Sequence, residues 1–438
     1  MDLATGQNLI KQKKFHAALN YFNSLLVSNP NNNIYFYLGR VHTELQDYKN
    51  GIKFYKKHLN INENSLPSLI NLAILYLNLG DKKNSQIYFK KVLKINRNYI
   101  YAYYGLYTLS KDFLNEKDFK FLSKILKEKQ ISNRNKSLIN FLFSKREKNK
   151  NNIEKELFYM QKYHQQSFES NLLYNKQSQF YYENVLGKFY NKINFSKKSN
   201  CYKNATPIFI IGLPRSGSTL LESLITSGTQ EIRTYGESNF FNMAILEQLN
   251  SEIFGKGFKI KNFNYDIDLM KIENSINERY NLKKNFNQEF IFLDKSLENL
   301  FNIEIILQIF PKAKFIHTNR NLKDAILSIY FSMLPELSWT HSLKTIKNYI
   351  KSYQLNIAYY KEKFTNKIFE VNLDEFTLYP ERISKDIFNF CELNWNKEIL
   401  NFYNRKDLFS KTLSAFQIRN EINKKNQSEY KKYYFLLN

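Results

Sequence analysis

Cysteine is nearly absent. Only Cys201 and Cys391 occur in 438 residues, far apart and with no second pair, so neither a disulfide framework nor a zinc site is supported. Glycine (12) and proline (7) are scarce too, which excludes long flexible linkers and low-complexity tracts. No stretch reaches the ~18 apolar residues of a membrane span. The opening Met1-Asp2-Leu3-Ala4-Thr5-Gly6-Gln7, followed by Lys11 to Lys14, lacks the apolar centre of a signal peptide, and a cytoplasmic location is the expectation. What the chain does have is 43% hydrophobic and 16% aromatic residues, ample for packed cores. A single core stops growing at roughly 250–300 residues, so two domains are expected.

Acidic residues are outnumbered, 40 Asp and Glu against 65 Lys and Arg, for a formal charge of +25. Such an excess can mark a nucleic-acid binder. Here the lysines are scattered rather than gathered in one arm, and they accompany abundant Asn, Ile, Phe and Tyr. A solvated basic surface that draws in small anions is the expectation, with no nucleic-acid partner.

The N-terminal half repeats with a period of 33 to 34: Gly6, Gly39 and Ala73 fall in register, as do Ala18, Gly51 and Ser85, then Phe22, Tyr55 and Phe89, then Leu26, Leu59 and Leu93. Small residues recur where paired helices approach closely, and larger apolar ones where each pair buries its face on the next. Asn29-Pro30 ends the first unit, because proline cannot continue a helix. The pattern resembles the tetratricopeptide repeat, with clear units to about residue 100 and degenerate helical continuation after it, giving an all-α solenoid over 1–198. Such a solenoid implies either a surface for a protein partner or self-association. From Ser132 to Asn152 the sequence turns polar and basic around Lys145-Arg146-Glu147-Lys148-Asn149-Lys150, which suggests a solvated helix or loop. Polar residues 191 to 206, ending in Thr206-Pro207, mark the expected junction with a second domain over 205–438.

That domain opens with the strongest strand signal in the chain, Ile208-Phe209-Ile210-Ile211, followed by Gly212-Leu213-Pro214-Arg215-Ser216-Gly217-Ser218-Thr219 and the helix Leu220-Leu221-Glu222-Ser223-Leu224-Ile225. A buried parallel strand, a tight loop and a helix start converge backbone N–H groups on one point, where the helix dipole favours an anion. The spacing Gly212-x4-Gly217-x-Thr219 is that of a P-loop, but Ser218 stands where a nucleotide kinase has its lysine and Arg215 lies inside the loop. A P-loop kinase is thereby disfavoured, since metal-assisted phosphoryl transfer loses its loop cation.

The stretch Pro214-Arg215-Ser216-Gly217-Ser218-Thr219 resembles the loop with which sulfotransferases bind the 5′-phosphosulfate of 3′-phosphoadenosine-5′-phosphosulfate (PAPS), and the chain is similar to the tyrosylprotein sulfotransferases and the bacterial repeat-fused enzymes related to them. Three further motifs follow in that family's order. Tyr235-Gly236-Glu237 supplies a carboxylate like the family's base; Phe290-Ile291-Phe292-Leu293-Asp294-Lys295 ends a strand in a lysine like the one that steadies the departing phosphate. Lys314-Phe315-Ile316-His317-Thr318-Asn319-Arg320 ends a strand in an arginine, with Ser328 eight residues on, like the pair that holds the 3′-phosphate.

The resemblance implies an α/β domain of three layers around a P-loop-like parallel sheet. It also implies PAPS as co-substrate, no metal, catalytic Glu237, Lys295 and Arg215, and a cofactor site of Arg215, Ser216, Gly217, Ser218, Thr219, Arg320, Ser328 and Ser414. The acceptor would be a hydroxyl on a protein tyrosine, a glycan, a lipid or a small metabolite. Two positions depart from the family: Leu373 replaces a tyrosine near the adenine, and Glu429 stands beside Tyr430 where a basic residue is usual, leaving Lys431 or Lys432 to substitute. A repeat scaffold with a non-catalytic nucleotide-binding domain is the alternative outside enzymes.

Overall fold

The structure, a computed structural model of the chain, describes all residues except 1, 29, 198, 200–201, 229–231, 254–265, 283–289, 406–407, 412–415 and 423–428. The chain divides into two compact units, residues 1–170 with 409–415 and residues 171–408 with 416–438. Residues 191–206 therefore lie within the second unit. No described helix is long and apolar enough to cross a membrane.

The first unit is a solenoid of helix pairs: Leu3–Lys11 with Phe15–Ser28, Asn32–Glu44 with Tyr48–Ile61, and Leu66–Asn78 with Lys82–Ile95. Asp47 and Asp81 cap the second helices of successive pairs, accepting the N–H of the third helical residue, Asn50 and Asn84. A Cβ on Gly39 would lie 2.7 Å from the Tyr55 ring, so the small residue is what lets the pair close. Phe22, Tyr55 and Phe89 are buried as the period requires. Leu25, His58 and Val92 are buried as well, one position before the expected Leu26, Leu59 and Leu93, which are half-buried.

Beyond the repeats, helix Asn133–Asn149 starts at the Ser132 cap and buries residues 137 to 144 without interruption. A helix covered on all sides is a core helix, not the solvated segment its charged end suggests.

The second unit is built on a parallel sheet. Its strands in chain order are β1 (Asn194–Lys197), β2 (Ile208–Gly212), β3 (Arg233–Thr234), β4 (Asp266–Asp268), β5 (Phe292–Asp294), β6 (Lys314–Asn319) and β7 (Ile368–Asn372). Five of them form one sheet in the order β3-β5-β2-β6-β7, while β1 and β4 pair separately. Strand β2 is buried along its whole length and alternates its faces. Ile208 and Ile210 pack with Leu221, Leu224, Ile316 and Phe388 under helices Ser218–Gly228 and Pro380–Cys391. Phe209 stacks on Phe315 and meets Phe241 and Phe292 on the other face. One face is thus aliphatic and the other aromatic, each under its own helices, which makes the three layers.

Strand order fixes where a ligand can sit. After β2 the chain moves to β3 and β5 on one side, whereas after β6 it moves to β7 on the other. The connections leaving β2 and β6 thus go to opposite sides of the sheet, and the carboxyl ends of such strands are the general binding position in such sheets.

Candidate active site

The close approach of β2 and β6 is made possible by Gly212. Its φ is 152°, and a Cβ there would lie 2.3 Å from Thr318 Oγ1 and 2.6 Å from the Thr318 carbonyl oxygen, so only glycine lets β2 and β6 run this close. Arg215 and Gly217 also have positive φ, which curls the loop back to start helix Ser218–Gly228. Ser216 is buried; its hydroxyl donates to the Leu213 carbonyl at 2.6 Å and meets Thr318 Oγ1 at 2.6 Å. That hydroxyl pins the loop to β6. Ser218 and Thr219 open the helix at the same end of β2.

Two cations reach this segment from opposite sides. From β5, Lys295 ends with its Nζ 2.8 Å from Glu237 Oε1 and 3.5 Å from Glu222 Oε2. From β6, Arg320 donates to the Arg215 carbonyl at 3.3 Å and lies 3.7 Å from the Asp324 carboxylate. Glu222 belongs to the helix that follows the loop, so both strand ends are tied to residues 215–222.

The backbone explains why Lys295 and Glu237 meet. Tyr235 donates its N–H to the Leu293 carbonyl at 2.8 Å, and Lys295 donates to the Gly236 carbonyl at 2.9 Å, so the Tyr235-Gly236-Glu237 turn is laced along the end of β5. Asp294, wholly buried, accepts from Ser238, Tyr280, the Ser296 N–H and Asn299. Those four donors fix the turn beneath the Lys295 and Glu237 side chains. Burial alone would push the Lys295 ammonium down, but Glu237 and Glu222 outweigh it and hold the group above its usual value.

The Arg320 guanidinium side chain is only 9% exposed, and its Nε has no hydrogen-bond partner among the described residues. A buried guanidinium so sparsely satisfied fits an anion. Ser328, about two turns beyond the Asn321 cap of helix Leu322–Tyr330, receives the Tyr430 hydroxyl at 3.3 Å. Tyr434 donates to Asp324 at 2.8 Å. The C-terminal turn therefore returns to this helix through tyrosine hydroxyls. Lys431 is exposed and the Lys432 ammonium sits 4.9 Å from the Tyr433 ring.

Of the residues singled out in sequence, Arg215, Gly217, Ser218 and Thr219 lie on the loop and helix start, Glu237 and Lys295 form a pair, and Arg320 joins the loop. Leu373 packs against Gly217, whose Cβ would lie 2.6 Å from Leu373 Cδ1. Ser414 lies outside the described residues. Glu222, Asp294, Asp324 and Tyr430 were missed. Asp294 precedes Lys295 directly and Glu222 faces one side of the helix after the loop, but only tertiary contact distinguishes them from ordinary polar positions.

Residues 207–397 match the family model described as Sulfotransferase family, and residues 33–65 and 66–99 match the tetratricopeptide repeat. An uncharacterized protein of Aquifex aeolicus (strain VF5) is 26% identical over 248 residues, 54% of this chain and 32% of that one. The chain thus spans about a third of that relative's length. The sulfotransferase domain of the Synechococcus PCC 7002 olefin synthase superposes with a TM-score of 0.37 at 16% identity, over 54% of this chain and 90% of that one. The sulfotransferase domain from the curacin biosynthetic pathway gives 0.34 at 14%, over 52% and 92%. Likeness at that level adds nothing to the site, which stands on its own residues.

Proposed function

Taking residues 207–397 as a sulfotransferase-family domain beside tetratricopeptide repeats, we propose that the chain moves a sulfuryl group from PAPS to a hydroxyl acceptor. The observation that carries this reading is the convergence of Lys295 and Arg320, from β5 and β6, on the loop and helix that follow β2. An anion held at the loop and a second held at Arg320 would match a nucleotide carrying both a 5′-phosphosulfate and a 3′-phosphate.

In this mechanism the loop N–H groups and Thr219 hold the 5′-phosphosulfate, while Arg320 and Ser328 hold the 3′-phosphate. The acceptor oxygen forms a bond to sulfur as the bridging bond to phosphate breaks. The acceptor proton passes to Glu237, and the negative charge left on the 5′-phosphate faces Lys295 and Arg215. The product nucleotide is 3′-phosphoadenosine-5′-phosphate. A phenol, with a pKa of about 10, loses its proton more readily than an alcohol, which makes protein tyrosine the acceptor to try first. The repeats would supply a surface for a protein partner.

Calorimetric titration with 3′-phosphoadenosine-5′-phosphate, with ADP alongside and with an Arg320→Ala variant, tests this reading. Binding of the first, rejection of ADP and loss in the variant are expected. No binding of the 3′-phosphorylated nucleotide to the unaltered protein would overturn it.

A further inference from the structure

We propose that Glu222 is a positioning residue for Lys295: it keeps the ammonium paired when Lys295 leaves Glu237, so that Glu237 is freed to take the acceptor's proton. The inference deepens the sulfotransferase reading and rests on it.

The resting geometry poses a problem that Glu222 solves. The Glu237 Oε1 that would receive the acceptor's proton is already engaged by the Lys295 ammonium at 2.8 Å. Glu237 can serve as base only if Lys295 turns toward the departing phosphate. Lys295 is 1% exposed, and a buried ammonium moving away from its sole partner would face a large desolvation cost. Glu222 Oε2, 3.5 Å away, remains.

The two carboxylates differ in ways that assign their roles. The Glu237 side chain is 50% exposed and sits on a turn, open to an acceptor; the Glu222 side chain is 14% exposed. Glu222 is also anchored, since its Oε1 accepts from Thr234 Oγ1 at 2.6 Å, and the same Thr234 oxygen accepts the Gly236 N–H at 3.2 Å. Thr234 thus links the holding carboxylate to the turn that carries the base. Glu237 and Glu222 are the leading charged groups acting on Lys295. Asp294, its chain neighbour, is engaged by Ser238, Tyr280, Ser296 and Asn299. Glu222 takes no proton in the cycle and touches neither reacting atom.

The test is calorimetric binding of 3′-phosphoadenosine-5′-phosphate to the full chain from pH 7 to pH 10.5, comparing the unaltered protein with Glu222→Gln and Thr234→Val. At pH 7, where Lys295 is charged in either protein, the Gln variant should bind within about threefold of the unaltered protein or tighter, having one less negative charge near the anion. Its affinity should then fall toward the alkaline end of that range while that of the unaltered protein holds, because Lys295 has lost one of two opposing charges. Thr234→Val, which keeps the charge but frees it, should fall between, and it serves alone if the Gln variant does not fold. The rate of sulfuryl transfer should drop roughly 10- to 100-fold in Glu222→Gln, the range for a residue acting through another. Superimposable pH profiles for all three proteins would overturn the role of Glu222 while leaving the sulfotransferase reading intact. Absence of binding to the unaltered protein at every pH would instead reject that reading, and this inference with it.

Discussion

Lys295 and Glu237 meet at 2.8 Å with the cation buried and the carboxylate half-exposed. The asymmetry separates two functions in one ion pair. On the proposed reading the lysine would face the charge that develops on the leaving group, and the glutamate would face the acceptor.

Glu237→Gln should therefore spare binding and impair chemistry. Lys295 keeps Glu222 as partner, so affinity for 3′-phosphoadenosine-5′-phosphate should stay within about threefold, while transfer to a phenolic acceptor should slow by roughly 10²–10⁴. Titration of the nucleotide together with single-turnover transfer from labelled PAPS separates the two. A transfer rate close to that of the unaltered protein would remove Glu237 from the role of base.

Tyr430 extends the Arg320 side of the site, since its hydroxyl reaches Ser328 at 3.3 Å. Removing one neutral hydrogen bond costs about 0.5–1.5 kcal/mol, so Tyr430→Phe should weaken nucleotide binding about two- to tenfold and leave the melting temperature nearly unchanged. Combined with Ser328→Ala, the losses should be less than additive, because both substitutions delete one contact. Strictly additive losses would mean that the two hydroxyls act independently.

Much of this site is legible in the sequence, for physical reasons. A β-branched run, a glycine-bearing loop and a helix start specify their own local structure, whereas Arg320 is singled out by the motif order that the family resemblance supplies. Glu222 is not legible: in sequence it is a charged residue on an amphipathic helix, and only the turn laced to β5 makes it a partner of Lys295. Helix 133–149 fails in the opposite way, its charged end masking a middle that packing encloses on every side. The helix-pair period found the buried aromatics but missed by one position the Leu25, His58 and Val92 row, because a helix turns about 100° per residue and neighbouring positions share an apolar face.

Gly212 and Gly236 make a controlled comparison. Both have positive φ, but a Cβ on Gly236 would find its nearest neighbour, Glu222 Oε1, at 3.9 Å, whereas one on Gly212 would strike Thr318 at 2.3 Å. Gly236→Ala should cost about 1–2 kcal/mol, the left-handed backbone term alone. Gly212→Ala must also push β2 from β6, and should cost more than about 3 kcal/mol and abolish nucleotide binding. Urea unfolding of both variants decides; equal losses would mean that the close strand approach is not a constraint.

His341 makes the second unit sensitive to mild acid. It is buried in the Ser338–His341 turn, and burial pushes its imidazole down from 6.5 to about 4, the hydrogen bond to the Pro335 backbone offsetting only part of that. Between those values the unfolded chain binds a proton that the folded one refuses, so the stability contributed is complete above about pH 6.5 and is lost as pH falls toward 4, a loss on the order of 3 kcal/mol. Glu370 acts in a lower window. The hydrogen bond from His317 leads the effects that hold its carboxyl down to about 2 against partial burial, with Lys361 adding to it, so its contribution is present above about pH 4.5 and fades only below that. Trp339 and Trp395 both lie in the second unit, and tryptophan fluorescence in urea at pH 7, 5.5 and 4.5 reads this unit alone. The urea midpoint should drop across that range, and His341→Asn should flatten the drop. An undiminished pH slope in the variant would show that a residue other than His341 carries the acid sensitivity.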